Sequence, residues 1–174
     1  VTVIGLGYMG SAVARCLAAT YTVHGWNRGE SKRNALRDVV NIYDTPEEAI
    51  EASVLTLVLI DDWKGAKELL LEHKARFERN NRTAVVFSTY APTDIHELAI
   101  QIGSNLVGGA IVGVPQTICT PQSLILTTAS VPTLDPIGRT VAVAGDVGLA
   151  ALANLALVLT ITFGLAGHEL AHLM

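Results

Sequence analysis

The sequence has few charged residues and no excess of basic ones. Only 16% of its 174 residues are charged, half are hydrophobic, and the formal net charge is −4. Nucleic-acid-binding proteins have a basic surface, so we expect no nucleic-acid partner. A chain of this length can bury a sizeable core, and it predicts one domain, or one domain with an appended element.

Cysteine is almost absent from the chain. The two cysteines, Cys16 and Cys119, stand far apart in the sequence and form no CxxC pair. Sparse cysteine of this kind is typical of a reduced protein, so we interpret the chain as cytoplasmic with unpaired thiols. Cys119 is expected to be a small apolar filler or, alternatively, a reactive thiol.

One apolar run, residues 147–167, is long enough to cross a bilayer. It contains Asn154, Thr160 and Thr162, and no Lys or Arg flanks it. Membrane spans usually have flanking positive charges. We therefore expect no membrane partner and interpret the run as a helix buried between domains or subunits.

Apolar, β-branched runs alternate with helical patterns along most of the chain. Strands are predicted at residues 1–4, 21–26, 39–43, 54–60, 83–88, 106–112, 123–128 and 140–143, and helices at 11–19, 31–37, 45–52, 63–77 and 92–102. This alternation predicts an α/β fold with a Rossmann-type, doubly wound, mostly parallel sheet. Residues 131–138, which hold two prolines and a glycine, are predicted to form a loop.

Polar residues stand before two of the predicted helices. Thr45 is predicted to be an N-cap, with Glu48 completing a capping box. Asp61 and Asp62 follow the fourth strand, at the edge where ligands bind in such sheets. We interpret them as caps of the next helix rather than as catalytic residues.

A glycine pattern follows the first strand. Gly5-Leu6-Gly7-Tyr8-Met9-Gly10 is a GxGxxG motif that leads from a predicted strand into a predicted helix. The glycines allow a tight turn and a close approach of the backbone, and the helix N-terminus offers N–H donors to a pyrophosphate. A plain glycine-rich turn is the alternative, and the surrounding βαβ unit favours a dinucleotide site.

The residues after the second strand indicate which dinucleotide binds. NAD sites usually have an acidic residue there for the ribose 2′-hydroxyl. This chain has Asn27 instead, followed by Arg28 and Lys32, which can neutralise a 2′-phosphate. The sequence therefore predicts NADPH as the cofactor, with a solvated basic turn as the alternative.

Several segments together carry a family resemblance. They are residues 5–10, 26–32, 88–92, 109–121 (GAIVGVPQTICTP) and 145–157. These segments resemble the 6-phosphogluconate dehydrogenase-like β-hydroxyacid dehydrogenase superfamily, and within it the imine reductases and reductive aminases. The resemblance implies an NADP-binding domain over residues 1–146 and the start of a long interdomain helix over 147–174. Without an initiator Met, and ending inside that helix, the sequence is expected to be part of a longer chain.

The resemblance implies NADPH-dependent reduction of a C=N bond, in a cyclic imine or in one formed from a carbonyl and an amine. It adds Leu59, Ile60 and Thr89 to the expected cofactor contacts. Family members form homodimers through the C-terminal helix, so a second copy is an expected partner. Residues 129–145 are shorter than the corresponding family segment, as if a helix were lost.

The resemblance also implies the catalytic residues. Asn154 stands where hydroxyacid dehydrogenases have a Lys and imine reductases usually have Asp or Tyr; Thr162 and Thr89 occupy the positions of an aromatic residue and an Asn in reductive aminases. Because Asn cannot donate a proton by ionising, hydroxyacid dehydrogenase activity is the disfavoured enzymatic alternative. The non-enzymatic alternatives are an Asn154 that only hydrogen-bonds in a dimer seam, and a module that binds NADPH without turnover.

A second motif stands at the end of the sequence. His168-Glu169-Leu170-Ala171-His172 matches HExxH, which places two histidines on one face of a helix. A catalytic zinc needs a third protein ligand, and only two residues follow the motif. We therefore expect no metal and interpret the motif as the polar last turn of the helix.

Overall fold

A computed structural model describes residues 1–87, 90–103, 105–143, 145–153, 155 and 156 of the chain. The strands are β1 (Thr2–Ile4), β2 (His24–Trp26), β3 (Asn41–Ile42), β4 (Leu55–Val58), β5 (Thr83–Phe87), β6 (Leu106–Val112), β7 (Leu124–Thr127) and β8 (Arg139–Ala142). The α-helices are α1 (Tyr8–Ala18), α2 (Glu30–Asn34), α3 (Pro46–Glu51), α4 (Trp63–Glu72), α5 (Lys74–Glu78) and α6 (Pro92–Ile102). Two 3₁₀ helices, Pro115–Thr117 and Pro132–Ile137, complete these elements.

The eight strands form one sheet in the order β3-β2-β1-β4-β5-β6-β7-β8. Neighbouring strands are parallel except for β6 and β7, which are antiparallel. The strand order reverses between β1 and β4, which creates a crevice at their carboxyl ends. The predicted Rossmann-type, mostly parallel sheet is confirmed.

Apolar side chains cover both faces of this sheet. On one face Val3, Leu57 and Val85 pack against α1 and the second 3₁₀ helix. On the other face Ile4, Val58 and Val86 pack against α3, α4 and α6; most of these side chains are completely buried. Burial on both faces explains the continuous apolar run in β4.

Two elements differ from the sequence-based expectations. The helix predicted over residues 63–77 is broken at His73, whose backbone lies outside helical values at φ −101° and ψ 12°. Neither Gly nor Pro marks this break. The loop predicted over residues 131–138 is wrong: Pro132–Ile137 is a 3₁₀ helix, because Leu134 and Ile137 are fully buried against the sheet.

This 3₁₀ helix is the crossover between the parallel strands β7 and β8. Parallel strands are usually joined by an α-helix, and here six residues fill that place. Residues 129–145, which the resemblance gave as shorter than the family segment, thus cross between the strands through a short 3₁₀ helix.

The helix caps follow the sequence pattern. Asp62 accepts a hydrogen bond from the Gly65 N–H at 3.0 Å, which confirms it as an N-cap. Thr45 accepts from the Glu48 N–H at 3.4 Å and is also confirmed. The Glu48 carboxylate accepts from the Thr45 hydroxyl at 3.0 Å, so the return bond runs between side chains instead of completing the reciprocal backbone bond.

The expectation of unpaired thiols is wrong. Cys16 in α1 and Cys119, after the first 3₁₀ helix, form a disulfide with their Cα atoms 5.9 Å apart. The segment between β6 and β7 returns over α1, which brings the two residues together despite their distance in sequence. The pairing also removes the cysteine-based argument for a reducing compartment.

A hydrogen bond between side chains links the chain after β8 to α6. The Asp146 carboxylate accepts from the Gly148 N–H at 2.8 Å and lies 2.7 Å from His96 Nδ1 in α6. The Gly148 N–H, followed by His96, holds the pKa of Asp146 below its usual range.

Residues 149–153, 155 and 156 are helical. No helix among the described residues is long and apolar enough to cross a membrane.

We expect Leu134→Ala to lower the free energy of unfolding by about 2–5 kcal/mol, because it leaves a cavity between the 3₁₀ crossover and the sheet. Urea unfolding monitored by circular dichroism measures this change. The matched control is Asp135→Ala in the same 3₁₀ helix, where the side chain is exposed and the change should stay within about 0.5 kcal/mol. Equal losses in the two variants would contradict the packing of this crossover.

Candidate functional site

The glycine loop lies against the end of β4. Gly5 has φ +93°, a conformation that favours glycine. A Cβ at Gly5 would fall on the Leu59 carbonyl, and a Cβ at Gly10 would fall on the Gly5 carbonyl. At Gly7, in contrast, a Cβ would have no heavy atom within 4 Å. The first and third glycines therefore permit backbone packing, and the second leaves open space in the cleft.

The N-terminus of α1 offers free donors to this space. The N–H groups of Tyr8, Met9 and Gly10 have no acceptor in the described part of the chain, and Gly7 provides no side-chain cap. The first turn contains no acidic residue. Unpaired N–H groups and the helix dipole favour an anion such as a pyrophosphate at this position.

The cleft has two chambers that share Gly7, Leu59, Ile60 and Asp61. The larger chamber, of about 630 Å³, extends past the ends of β2 and α4. The smaller chamber, of about 260 Å³, extends toward β5 and β6. Together they form a trough across the carboxyl ends of the strands, at the reversal of strand order where such sheets bind ligands.

Two unpaired cations line the larger chamber. Arg28 and Lys32 are exposed, and neither has an ion pair among the described residues. Asn27, beside them, accepts from the Leu6 N–H at 3.0 Å and donates to the Gly29 carbonyl at 3.2 Å. Asn27 thus ties the glycine loop to the turn after β2, and its second amide hydrogen is available to a ligand.

Arg33 shapes the same turn. Its Nη1 donates to the Asn27 carbonyl at 2.7 Å and to the Arg28 carbonyl at 3.2 Å, and its Nη2 lies 3.9 Å from Asp44. Arg28 and Lys32, the two cations that the sequence assigned to a 2′-phosphate, both line the larger chamber. Arg33, which was not assigned to that phosphate, is instead bonded to the backbone of the turn.

The smaller chamber is mainly apolar. Met9, Phe87, Ile111 and Pro115 line it, together with Tyr90. Met9 belongs to the glycine loop that was predicted from the sequence. The other four residues were not predicted to belong to the site, because separate segments contribute them and no local pattern unites them.

Tyr90 forms one wall of this chamber. Its hydroxyl donates a hydrogen bond to the Ile60 carbonyl, and its ring lies 5.0 Å from that of Trp63. Burial, followed by the charges of Asp61 and Asp62, raises the pKa of Tyr90. The phenol is therefore protonated at neutral pH and engaged with the backbone.

Only some of the expected site residues belong to the part of the chain that the structure describes. Leu59 and Ile60 line both chambers, and their contact with a cofactor stays a prediction. Thr89, Asn154 and Thr162 lie outside the described residues, as does the motif at 168–172. Their roles remain predictions from the sequence.

One group of side chains could hold a cation. Ligand atoms of Glu47, Glu72 and His73 lie within 4.8 Å of one another at the far end of the larger chamber. Glu72 is exposed and Glu47 half-buried. Within the part of the chain described here, no fourth side chain completes a coordination sphere around them.

Comparisons with known proteins agree with this geometry. Residues 1–115 match the family described as the NAD binding domain of 6-phosphogluconate dehydrogenase. A nuclear factor of Xenopus tropicalis, the cytokine-like N-PAC, is 32% identical over 116 residues, which are 64% of this chain and 21% of that protein.

Solved structures match over more of the chain. An imine reductase variant from Myxococcus stipitatus, in complex with NAD⁺, is 27% identical with a TM-score of 0.87, over 98% of this chain and 63% of that one. A reductive aminase from Aspergillus terreus, in complex with NADPH and ethyl levulinate, is 25% identical with a TM-score of 0.82, over 95% and 62%. The chain thus spans less than two thirds of each structure.

Substitutions of two glycines should have different effects on stability and on dinucleotide binding. In Gly10→Ala the new Cβ meets the Gly5 carbonyl, so both the free energy of unfolding and dinucleotide affinity should fall. In Gly7→Ala the methyl group enters open space, so stability should change by no more than about 0.5 kcal/mol. Its dinucleotide affinity should nevertheless fall by about tenfold, because the methyl group occupies the ligand's approach to the loop.

Thermal unfolding without ligand and fluorescence titration with dinucleotide measure the two quantities. Unchanged affinity in Gly7→Ala would place the ligand away from this loop.

Proposed function

Since the chain belongs to the family of the NAD binding domain of 6-phosphogluconate dehydrogenase, we propose that it binds NADPH and takes part in the reduction of C=N bonds. The observation that carries the proposal is the trough itself, with a free helix N-terminus at its centre and unpaired cations at one end. The other end is an apolar chamber suited to a small organic substrate.

The residues present fit the parts of NADPH. The N–H groups at the start of α1 suit the pyrophosphate, and the glycine backbone leaves room for its close approach. Arg28 and Lys32 suit the 2′-phosphate, because no carboxylate in the described residues neutralises them. Trp26 and Pro46 offer flat apolar surfaces at the same end, where an adenine ring can stack.

When bound, NADPH supplies a hydride to an electrophilic carbon. In the smaller chamber Met9, Phe87 and Ile111 exclude water from that carbon. Tyr90 holds the Ile60 backbone in place through its hydroxyl and is a poor proton donor, since its pKa is raised.

A substrate that arrives already protonated, such as an iminium ion, needs no proton from these residues. The exposed Asp61 carboxylate at the chamber also favours a cationic substrate.

The similar structures support a C=N substrate. Their names describe imine reductases and a reductive aminase, and the latter was solved with a carbonyl compound. We assign Asn154 and Thr162 to the substrate side, and Thr89 to both substrate and cofactor, following the resemblance. The C-terminal helix is proposed to join two copies in a homodimer; Leu152 and Leu155 at its start are about half exposed.

A module that binds NADPH without turnover is the second candidate. It is favoured by the match to N-PAC, whose name describes a nuclear factor and not an enzyme. It is also favoured by the absence of a strong proton donor among the described residues of the smaller chamber. A cytoplasmic location is part of the enzymatic proposal, and fractionation of the source cells tests it.

The cations predict cofactor preference. Arg28→Ala and Lys32→Ala should each weaken NADPH binding by about tenfold and leave NADH binding nearly unchanged, because only NADPH carries the 2′-phosphate. Fluorescence titration with both cofactors measures this. Lys74→Ala is the matched control, since Lys74 is paired with Glu78 and neither side chain lines the trough. Tighter binding of NADH than of NADPH by the unmodified chain would reject the assignment.

The substrate class is tested by turnover. We expect NADPH oxidation with a cyclic imine such as 1-pyrroline, and none with a β-hydroxyacid and NADP⁺. Asn154→Ala should lower kcat with imine by about tenfold or more if its amide orients the substrate. NADPH binding without either activity would favour the non-catalytic module, and unchanged turnover in Asn154→Ala would remove this residue from the mechanism.

A further inference from the structure

We propose that the Cys16–Cys119 disulfide is a reversible thiol–disulfide exchange site whose redox state sets the position of the wall of the smaller chamber. The two residues are the only cysteines of the chain, so no other pairing within it competes. The site joins α1, which begins at the phosphate-binding loop, to the segment 113–120, which carries Pro115 into the chamber.

The two cysteine residues differ in exposure. Cys119 is exposed, whereas Cys16 is buried with 7% of its surface accessible. Exchange requires a thiolate to reach one sulfur of the disulfide. Because Cys119 is the exposed residue of the pair, we assign the attack to its sulfur, and the Cys16 sulfur is then the leaving group.

The reductant is a dithiol, either a small molecule or a dithiol protein. Its thiolate attacks the Cys119 sulfur, the Cys16–Cys119 bond breaks, and the bonding pair goes to the Cys16 sulfur, which takes up a proton. The second thiol of the reductant then attacks the mixed disulfide and releases Cys119 as a thiol. In total the dithiol loses two electrons and two protons and becomes a disulfide, while the protein gains them as two thiols.

The fold accommodates the reduced state as well as the oxidised one. The Cys16 sulfur lies 3.2 Å from the Pro136 carbonyl oxygen, so a buried Cys16 thiol would find a hydrogen-bond acceptor without any movement. A Cys119 thiol would be solvated, because this residue is exposed. A cross-link whose reduction leaves no buried polar group without a partner is suited to repeated opening and closing.

The backbone at Cys119 explains why reduction would move the segment. Cys119 has φ +70°, in the left-handed region that disfavours residues with a side chain. Its N–H donates to the Ile137 carbonyl at 3.1 Å, and the disulfide adds a covalent restraint. When the disulfide opens, one of the restraints that hold this unfavourable conformation is lost.

The segment would transmit this change because it is internally bonded. The Thr117 hydroxyl bridges to the Val114 N–H at 3.1 Å and to the Val114 carbonyl at 2.9 Å, and Thr120 donates to the Thr117 carbonyl. Pro115 lies within this hydrogen-bonded block. A displacement of Cys119 therefore also displaces Pro115 in the chamber wall, because the hydrogen bonds make the segment move as one unit. Any effect on cofactor or substrate rests on the function proposed above, whereas the movement of the segment does not.

The test compares the oxidised and dithiothreitol-reduced protein by hydrogen–deuterium exchange. Reduction should speed amide exchange in residues 113–123 by about tenfold or more, while strands β1 and β4 keep their protection. Cys16→Ser/Cys119→Ser should match the reduced protein and ignore the reductant. Cys119→Ala is a second variant that removes the disulfide but keeps a side chain at the positive φ. It should also match the reduced protein, so it keeps the test valid if the double variant folds poorly.

Two results would overturn the proposal. One is equal exchange in residues 113–123 for the two redox states. The other is a disulfide that stays closed in a glutathione and glutaredoxin buffer at the cytosolic ratio, as measured by thiol alkylation and mass spectrometry, because it would then be a permanent cross-link.

An NADPH titration of both states separates this proposal from the proposed function. A redox-dependent change in exchange without NADPH binding in either state would leave the exchange site standing and reject the cofactor. NADPH binding that is equally tight in both states, with equal exchange, would reject the exchange site alone.

Discussion

The close contact between the glycine loop and the end of β4 is the constraint on which the rest of the site depends. Gly5 and Gly10 leave no space for a Cβ, because the carbonyl oxygens of Leu59 and Gly5 occupy it. This contact places the first turn of α1 directly above the switch in strand order, with its N–H groups directed into the trough. Without it, the free donors, the cations after β2 and the apolar chamber would not face one cleft.

Much of the fold follows from local patterns in the sequence. Helix α6 and strand β6 have the predicted bounds, since Pro92 starts the one and a continuous apolar run defines the other. The break at His73 and the 3₁₀ helix at 132–137 were not predictable in this way. The 3₁₀ helix is set by the packing beneath it, because tertiary burial of Leu134 and Ile137 overrides the loop signals of two prolines.

The candidate site also has a part that could be predicted from the sequence and a part that could not. The glycine loop and the cations after β2 each lie within one short segment, so their chemistry could be predicted from residue type and spacing. Phe87, Tyr90 and Pro115 come together only because the sheet aligns their segments. No motif in the neighbouring sequence of any of the three predicts a place in the site. The cysteine pair is the strongest example, because the return of the chain over α1 converts two isolated residues into one covalent link.

The two edges of the sheet restrict how copies of this chain can associate. Strand β3 at one edge has only two residues, and Arg139 stands exposed on β8 at the other. Short and charged edge strands resist the strand-to-strand addition that leads to fibrils. Self-assembly by extending the sheet is therefore disfavoured. If two copies associate, their contact is expected to involve helical surfaces and not the edges of the sheet.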